Sequence, residues 1–273
     1  MAQSPSQKEI DAYHEDGVVC VRGIIPLQEL RTVNEAVEAL LDEEPAPYDA
    51  TLGHKVRYGD NTEKGDPGRA FDAVFMAEEI SAFSEFARNK ELASLARDLM
   101  GCESVRFYYD QLFVREPGTE TGTRWHNDLP FWPFEGEDLI SCWVALTPVT
   151  TESSGLEYVA GSHQWGVRYR PTLPWLADES LEPAPDFGQP KNRQSQRIVS
   201  WDMEPGDVLC HHPWVVHGAG TNHRTVRRVG LSLRYFGNDV RWALREKTMT
   251  LPRDPRVAVG AYPADDDAFP IVG

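Results

Sequence analysis

Arg124-Trp125-His126-Asn127-Asp128-Leu129-Pro130 is the stretch on which the fold of this chain turns, because its histidine and aspartate stand two residues apart. On a strand, residues i and i+2 share a face, so His126 and Asp128 can grip one ion while Asn127 faces away. On a helix they would diverge, and Pro130 argues against a helix there. A third candidate ligand, His217, closes the run His211-His212-Pro213-Trp214-Val215-Val216-His217. Two neutral imidazoles and one carboxylate leave half of an octahedral ion uncovered, which is the ligand set of non-haem Fe(II) oxygenases. His126, Asp128 and His217 are therefore expected as metal ligands and as the catalytic centre.

Working outward, His217 is followed by the turn-rich Gly218-Ala219-Gly220-Thr221-Asn222. If that stretch turns a hairpin, Arg228 falls opposite His217, and directly opposed residues share a face at about 5 Å between Cβ atoms. Arg228 then points into the metal cavity, where a planar, bidentate cation suits the far carboxylate of 2-oxoglutarate better than lysine does. The keto-acid end of that cosubstrate would chelate Fe(II), and O2 would take the remaining position.

The surrounding pattern is mainly β with flanking helices. Strand-like alternation marks residues 105–114, 139–146, 156–159, 197–201, 207–211 and 226–236, after a largely helical first hundred residues. Ser4 to Glu9 reads as a helix start and Gly17 as its end. Pro26 opens a second helix carrying Leu30, Val33, Val37, Leu40 and Leu41, and a third pattern over 91–100 stops at Gly101. Helices followed by several short strands predict a β-barrel or sandwich buttressed by helices. The expected organisation is one domain over 1–273: a helical buttress at 1–101, a β core at 102–240, a lid near 166–196 with Trp165, Tyr169, Trp175 and Phe187, and a C-terminal extension at 241–273.

Composition narrows the function. A net charge of −16 over 273 residues opposes nucleic acid as a partner and leaves a small-molecule substrate. Cys20, Cys102, Cys142 and Cys210 are scattered without a CxxC pair, which fits reduced thiols. Neither an export leader nor a membrane-length apolar run stands out, so no membrane partner and a cytoplasmic location are expected.

These residues together resemble the phytanoyl-CoA dioxygenase (PhyH) family of Fe(II)/2-oxoglutarate oxygenases. The resemblance runs over most of residues 6–240. It is carried by the opening Glu9 to Val19, by Trp125-His126-Asn127-Asp128, by Trp143 to Leu146 leading to Gly155 and Gly161-Ser162-His163, and by Pro205 to Leu209 through His217-Gly218 to Arg228. It implies a double-stranded β-helix, a jelly roll or cupin-like barrel, with iron on His126, Asp128 and His217 and 2-oxoglutarate anchored by Arg228. Similar proteins often carry a serine where this chain has Ala219, so Thr221 or Ser232 is expected to supply the hydroxyl for the cosubstrate carboxylate. Asp128 fills the position a halide would need, which opposes halogenation.

Strand parity extends the pocket. Val105, Phe107, Tyr109, Gln111 and Phe113 share a face, which makes Gln111 a polar amide among aromatics, either a cosubstrate or substrate contact or a structural hydrogen bond. Trp132 is read as a substrate wall or a core residue. Arg234, on the parity of Arg228, meets a substrate anion or an acidic side chain, and Arg124, on the face of His126, is open in the same way. His14, His54 and His223 are read as ordinary core or surface residues, and His163 as bracing a turn. Adjacent His211 and His212 point to opposite faces and are left outside the site. Two rivals share the ligand set: a zinc hydrolase, which gives Arg228 nothing to do, and a noncatalytic metal- or ligand-binding barrel.

Overall fold

The computed structural model describes residues 4–42, 57–60 (backbone only), 67–172 and 176–273; His54 and Trp175 lie outside them. Helix α1 (Gln7–Asp16) begins where Ser6 and Glu9 cap each other reciprocally, satisfying two free backbone N–H groups, and ends at Gly17, whose φ of 75° a side chain would resist. Strand β1 (Val18–Val21) leads to α2 (Leu27–Asp42), whose Leu30, Val33, Val37 and Leu40 form its buried stripe. After β2 (Arg57–Asp60) and β3 (Ala70–Val74) come α3 (Ser81–Ala87) and α4 (Lys90–Met100), the latter capped by Asn89 on the Leu92 N–H.

The remaining elements are mostly strands: β4 (Arg106–Arg115), β5 (Thr123–His126), β6 (Phe134–Glu135), β7 (Leu139–Ala145) and β8 (Leu156–Val159), then the single-turn helix α5 (Pro190–Arg193). They continue with β9 (Ile198–Ser200), β10 (Val208–His211), β11 (His217–Ala219), β12 (Arg228–Phe236) and β13 (Arg241–Trp242). A seven-stranded sheet runs β1-β10-β7-β12-β4-β3-β2 and faces a four-stranded sheet, β5-β11-β8-β9, while β13 pairs with β6. Every pairing is antiparallel. This is the jelly roll.

Alternation sorts the seven-stranded sheet. Leu112, Val114, Cys142, Val144, Cys210 and Leu231 turn outward onto α2 and α4 in one apolar cluster. Trp143 and Leu209 turn inward and meet Tyr158 and Val215 from the opposite side. Burying one such large apolar side chain contributes about 1.5–3 kcal/mol, so the helices are held by the sheet they cover rather than by their own propensity. The C-terminal segment packs Phe269 and Trp242 against Tyr108, Trp132 and Phe134, and Arg106 pairs with Asp266 at 2.6 Å. No helix among the described residues is long and apolar enough to cross a membrane.

Three expectations need correction. The first hundred residues are not simply a helical buttress, since β1 forms one edge of the large sheet and β2, with β3 beside it, the other. The face assigned to Val105 through Phe113 is broken: Arg234 pairs with Tyr109 but Tyr235 with Phe107, so Tyr108 is an extra residue, a bulge that turns Val105 and Phe107 onto the helices. Finally, residues 218–227 do not turn a hairpin. Strand β11 pairs with β5 and β8, whereas β12 pairs with β4 and β7, so Arg228 sits opposite Arg115 rather than His217.

Candidate metal centre and its surroundings

His126 is the last residue of β5 and His217 the first of β11, and the two are direct cross-strand partners, with ring centroids 4.4 Å apart. Asp128 lies just beyond the strand, at the entry to a 3-10 turn over Leu129–Phe131, where its N–H donates to the Pro213 carbonyl at 2.8 Å. The sharp turn, not strand alternation, brings its carboxylate back onto the histidines. Asp128 Oδ1 lies 3.4 Å from His126 Nε2 and 3.9 Å from His217 Nε2, and the three ligand atoms fall within 4.8 Å of one another.

The donor set is prepared for a cation. His126 Nδ1 faces the Arg124 carbonyl at 2.7 Å and His217 Nδ1 faces the Val215 carbonyl at 3.1 Å. A carbonyl only accepts, so each Nδ1 carries the proton and each Nε2 lone pair is directed at the cluster, as when an imidazole that binds a metal donates its other N–H to a carbonyl. Burial pushes the Asp128 carboxyl up, but its contacts with His126 and His211 and the nearness of His217 and Arg234 outweigh it and hold the group well below its ordinary value. Burial, then repulsion from His126, keeps His217 well below the usual histidine value. An anionic carboxylate and neutral imidazoles are what a divalent ion requires.

His211 belongs to this cluster, although sequence reading set it aside. Buried on the inward face of β10, it sets its Nε2 3.4 Å from Asp128 Oδ2, on the oxygen turned away from the other two ligands, and its ring 4.7 Å from that of His217. Its Nδ1 faces Tyr158 Oη at 3.1 Å, and the Tyr158 ring stacks on His217 at 5.5 Å. The signal was present: Val208 and Cys210 face the helices, so His211 had to face inward. His212 turns the other way, to the Glu137 carbonyl, and His163 braces the His14 carbonyl.

Arg228 is 2% exposed. Its Nη2 donates to the Ser154 carbonyl at 2.8 Å and to Ser154 Oγ at 2.9 Å, and its Nη1 to the Phe113 carbonyl at 3.3 Å. No carboxylate pairs with it among the described residues; Asp72, whose charge it feels, is bound by Arg115 at 2.7 Å. Burial, then repulsion from Arg115, pushes its pKa down to about 9. The hydroxyl beside Arg228 is that of Ser154, while the expected Thr221 and Ser232 are engaged elsewhere. Thr221 bonds His223 at 2.7 Å on the surface, and Ser232 lies 3.5 Å from Ser141 Oγ inside the barrel.

The other expected residues divide. Gln111 accepts from Arg234 Nη2 at 2.9 Å, and the Arg234 guanidinium lies 4.4 Å from the Tyr109 ring centroid and 6.0 Å from that of Trp132. Trp132 is buried and donates to Tyr109 Oη at 3.2 Å. Arg124 leaves its side chain exposed and contributes only its carbonyl. Asn127, between the two ligands, ties down the segment expected as a lid: its amide donates to the Val167 carbonyl at 2.7 Å and accepts from the Tyr169 N–H at 3.3 Å.

Comparison with known proteins agrees with this geometry. The family described as Phytanoyl-CoA dioxygenase (PhyH) matches residues 13–230. The chain is 24% identical over 236 residues to a probable phytanoyl-CoA dioxygenase of Caenorhabditis elegans, covering 84% of this chain and 74% of that one. It is 26% identical over 242 residues to the multifunctional dioxygenase prhA of Penicillium brasilianum, covering 84% and 72%. In fold it is similar to the non-haem, alpha-ketoglutarate-dependent carbocyclase SnoK from nogalamycin biosynthesis, with a TM-score of 0.69 at 21% identity over 98% of this chain and 97% of that one.

Proposed function

Because the chain belongs to the phytanoyl-CoA dioxygenase family and is thus a 2-oxoglutarate-dependent non-haem iron dioxygenase, we propose that it oxidises a C–H bond of a small molecule in a biosynthetic pathway. In the hydroxylating form of the reaction R–H, 2-oxoglutarate and O2 become R–OH, succinate and CO2. Bound Fe(II), with these two cosubstrates, supplies the oxidising power. Everything else falls to the chain. His126, Asp128 and His217 hold the ion on one side, His211 steadies the Asp128 oxygen turned away from it, and Arg228 with Ser154 receives the distal carboxylate of 2-oxoglutarate. The observation that carries this reading is the pairing, in the same barrel, of a prepared His-Asp-His cluster with a buried arginine that has no acidic partner among the described residues.

The likeness to a carbocyclase of nogalamycin biosynthesis supports a compact natural-product-like substrate, and the acidic chain opposes a nucleic-acid one. Four free cysteines favour a reducing, cytoplasmic setting. The test is the dependence of succinate formation on O2, Fe(II) and 2-oxoglutarate across a panel of small molecules, wild type against Asp128→Ala. Succinate formed only by the wild type and only with all three supports the reading. Activity that persists without O2, or in Asp128→Ala, refutes it.

A further inference from the structure

Arg115, Arg228 and Arg234 are buried on the inward face, and of these only Arg115 has a carboxylate partner among the described residues, whereas 2-oxoglutarate has only one carboxylate free once the other chelates the metal. With that carboxylate on Arg228, Arg234 is left over. It is 3% exposed and shares the inward parity of Arg228, Gly230 and Ser232 on β12. Its Nη2 is held by Gln111, while its Nε and Nη1, also buried, have no hydrogen-bond partner among the described residues. No carboxylate pairs with it among the described residues. The Tyr109 ring lies 4.4 Å from the guanidinium, and the Trp132 indole, fixed by its bond to Tyr109 Oη, lies 6.0 Å away. Across the sheet Arg234 pairs with Ser141 of β7, which pairs in turn with His211 of β10, so Arg234 lies in the same row as the histidine beside Asp128.

A buried cation is ordinarily paired, because desolvation costs more than a neutral amide and an aromatic face return. Nothing among the described residues completes this one. We infer that Arg234 receives an oxyanion of the substrate, a carboxylate or phosphoryl group, with Gln111 fixing the guanidinium and Tyr109 and Trp132 walling the carbon skeleton beside it. This rests on the dioxygenase reading, since it is 2-oxoglutarate on Arg228 that leaves Arg234 for the substrate. The substrate's reacting C–H bond then lies a short span from an acidic group, so small organic acids and phosphate esters are the compounds to screen.

The experiment uses matched probes on protein loaded anaerobically with Fe(II) and saturating 2-oxoglutarate, so that Arg228 is already engaged: benzoate, its neutral analogue benzamide, and phenyl phosphate, each followed by calorimetry. Benzoate is expected to bind at least about tenfold more tightly than benzamide, because a charge-assisted pair replaces a neutral one. In Arg234→Gln that ratio should collapse to about one, with 2-oxoglutarate affinity nearly unchanged. Tighter binding of phenyl phosphate than of benzoate assigns the group as phosphoryl, and the reverse as carboxylate. Equal binding of benzoate and benzamide by the wild type overturns the inference, as does a ratio that survives in Arg234→Gln. A selective loss of 2-oxoglutarate affinity in that variant also overturns it, since Arg234 would then serve the cosubstrate. If Arg234→Gln does not fold, Arg234→Lys replaces it: a point charge that cannot keep the Gln111 contact should weaken the preference clearly, and an unchanged preference counts against the assignment. The absorption of the Fe(II)–2-oxoglutarate chelate reports separately on the dioxygenase reading, so the two can fail independently.

Discussion

Replacing Arg228 with methionine removes the charge while keeping an unbranched chain of similar reach. In the free protein the guanidinium is buried, donates to Ser154 and the Phe113 carbonyl, and has its pKa pushed down to about 9. Its folded pKa lies below its unfolded value, so the penalty on the charged form is complete below pH 9 and is relieved only as the pH rises above that. At neutral pH the depression corresponds to on the order of 5 kcal/mol of uncompensated charge. A carboxylate that supplies the missing counter-charge recovers part of this as affinity, and loss of one partner of such a buried pair costs about 2–5 kcal/mol. The affinity of the Fe(II)-loaded protein for 2-oxoglutarate should therefore fall about thirty-fold to a few thousand-fold. Fe(II) affinity measured without 2-oxoglutarate should change little, because no ligand is touched. Thermal unfolding gives a second reading: 2-oxoglutarate at a hundred times its Kd stabilises the wild type by about 2.7 kcal/mol, and at that concentration it should barely move Arg228→Met. Equal loss of metal and cosubstrate affinity, or undiminished 2-oxoglutarate binding, would refute the assignment.

His211→Phe keeps the aromatic packing and removes the contact to Asp128 Oδ2; loss of a group that orients a metal ligand costs about 10–100-fold in metal affinity, and unchanged affinity in a Co(II) titration would make His211 merely structural. Asp110, outside the metal site, has its carboxyl pushed up to about 7, chiefly by burial. With its folded pKa above the unfolded one, it contributes stability that is complete below pH 4 and is lost as the pH rises through 7, so denaturant titrations should show Asp110→Asn with a flatter stability profile between pH 5 and 8 than the wild type. Gly230→Ala would drive a methyl into the Trp143 ring beside Arg228, and overpacking of that kind should destabilise by about 1–3 kcal/mol; an unshifted Tm would mean that the Trp143 ring moves aside freely.

Much of this was legible in the sequence because the informative residues are constrained locally. Ser6 with Glu9 and Gly17 mark the ends of α1 by their capping chemistry, and the helical spacing of Leu30, Val33 and Val37 marks the face of α2. The ligands could be named from spacing and residue type. What could not be read were features that arise only when distant segments meet. Nothing local tells that β11 and β12 belong to opposite sheets, so the sequence pattern sets Arg228 opposite His217 through a hairpin that the fold does not contain. Ser154, which reaches Arg228 from the turn before β8, carries no sequence mark of its own. Strand alternation predicted the inward residues of β12 but failed on β4 at the Tyr108 bulge, where one extra residue reverses the parity. It also held the clue to His211, which Val208 and Cys210 fix on the inward face.

The most direct test of the central claim is an anaerobic titration of the apoprotein with Fe(II) and then 2-oxoglutarate, followed by the weak visible charge-transfer absorption of the chelate. The His126-Asp128-His217 centre with Arg228 behind it predicts a band that saturates with both components, is absent in Asp128→Ala, and requires far more 2-oxoglutarate in Arg228→Met. No band in the wild type, together with tight Zn(II) binding and hydrolytic turnover without O2, would contradict it.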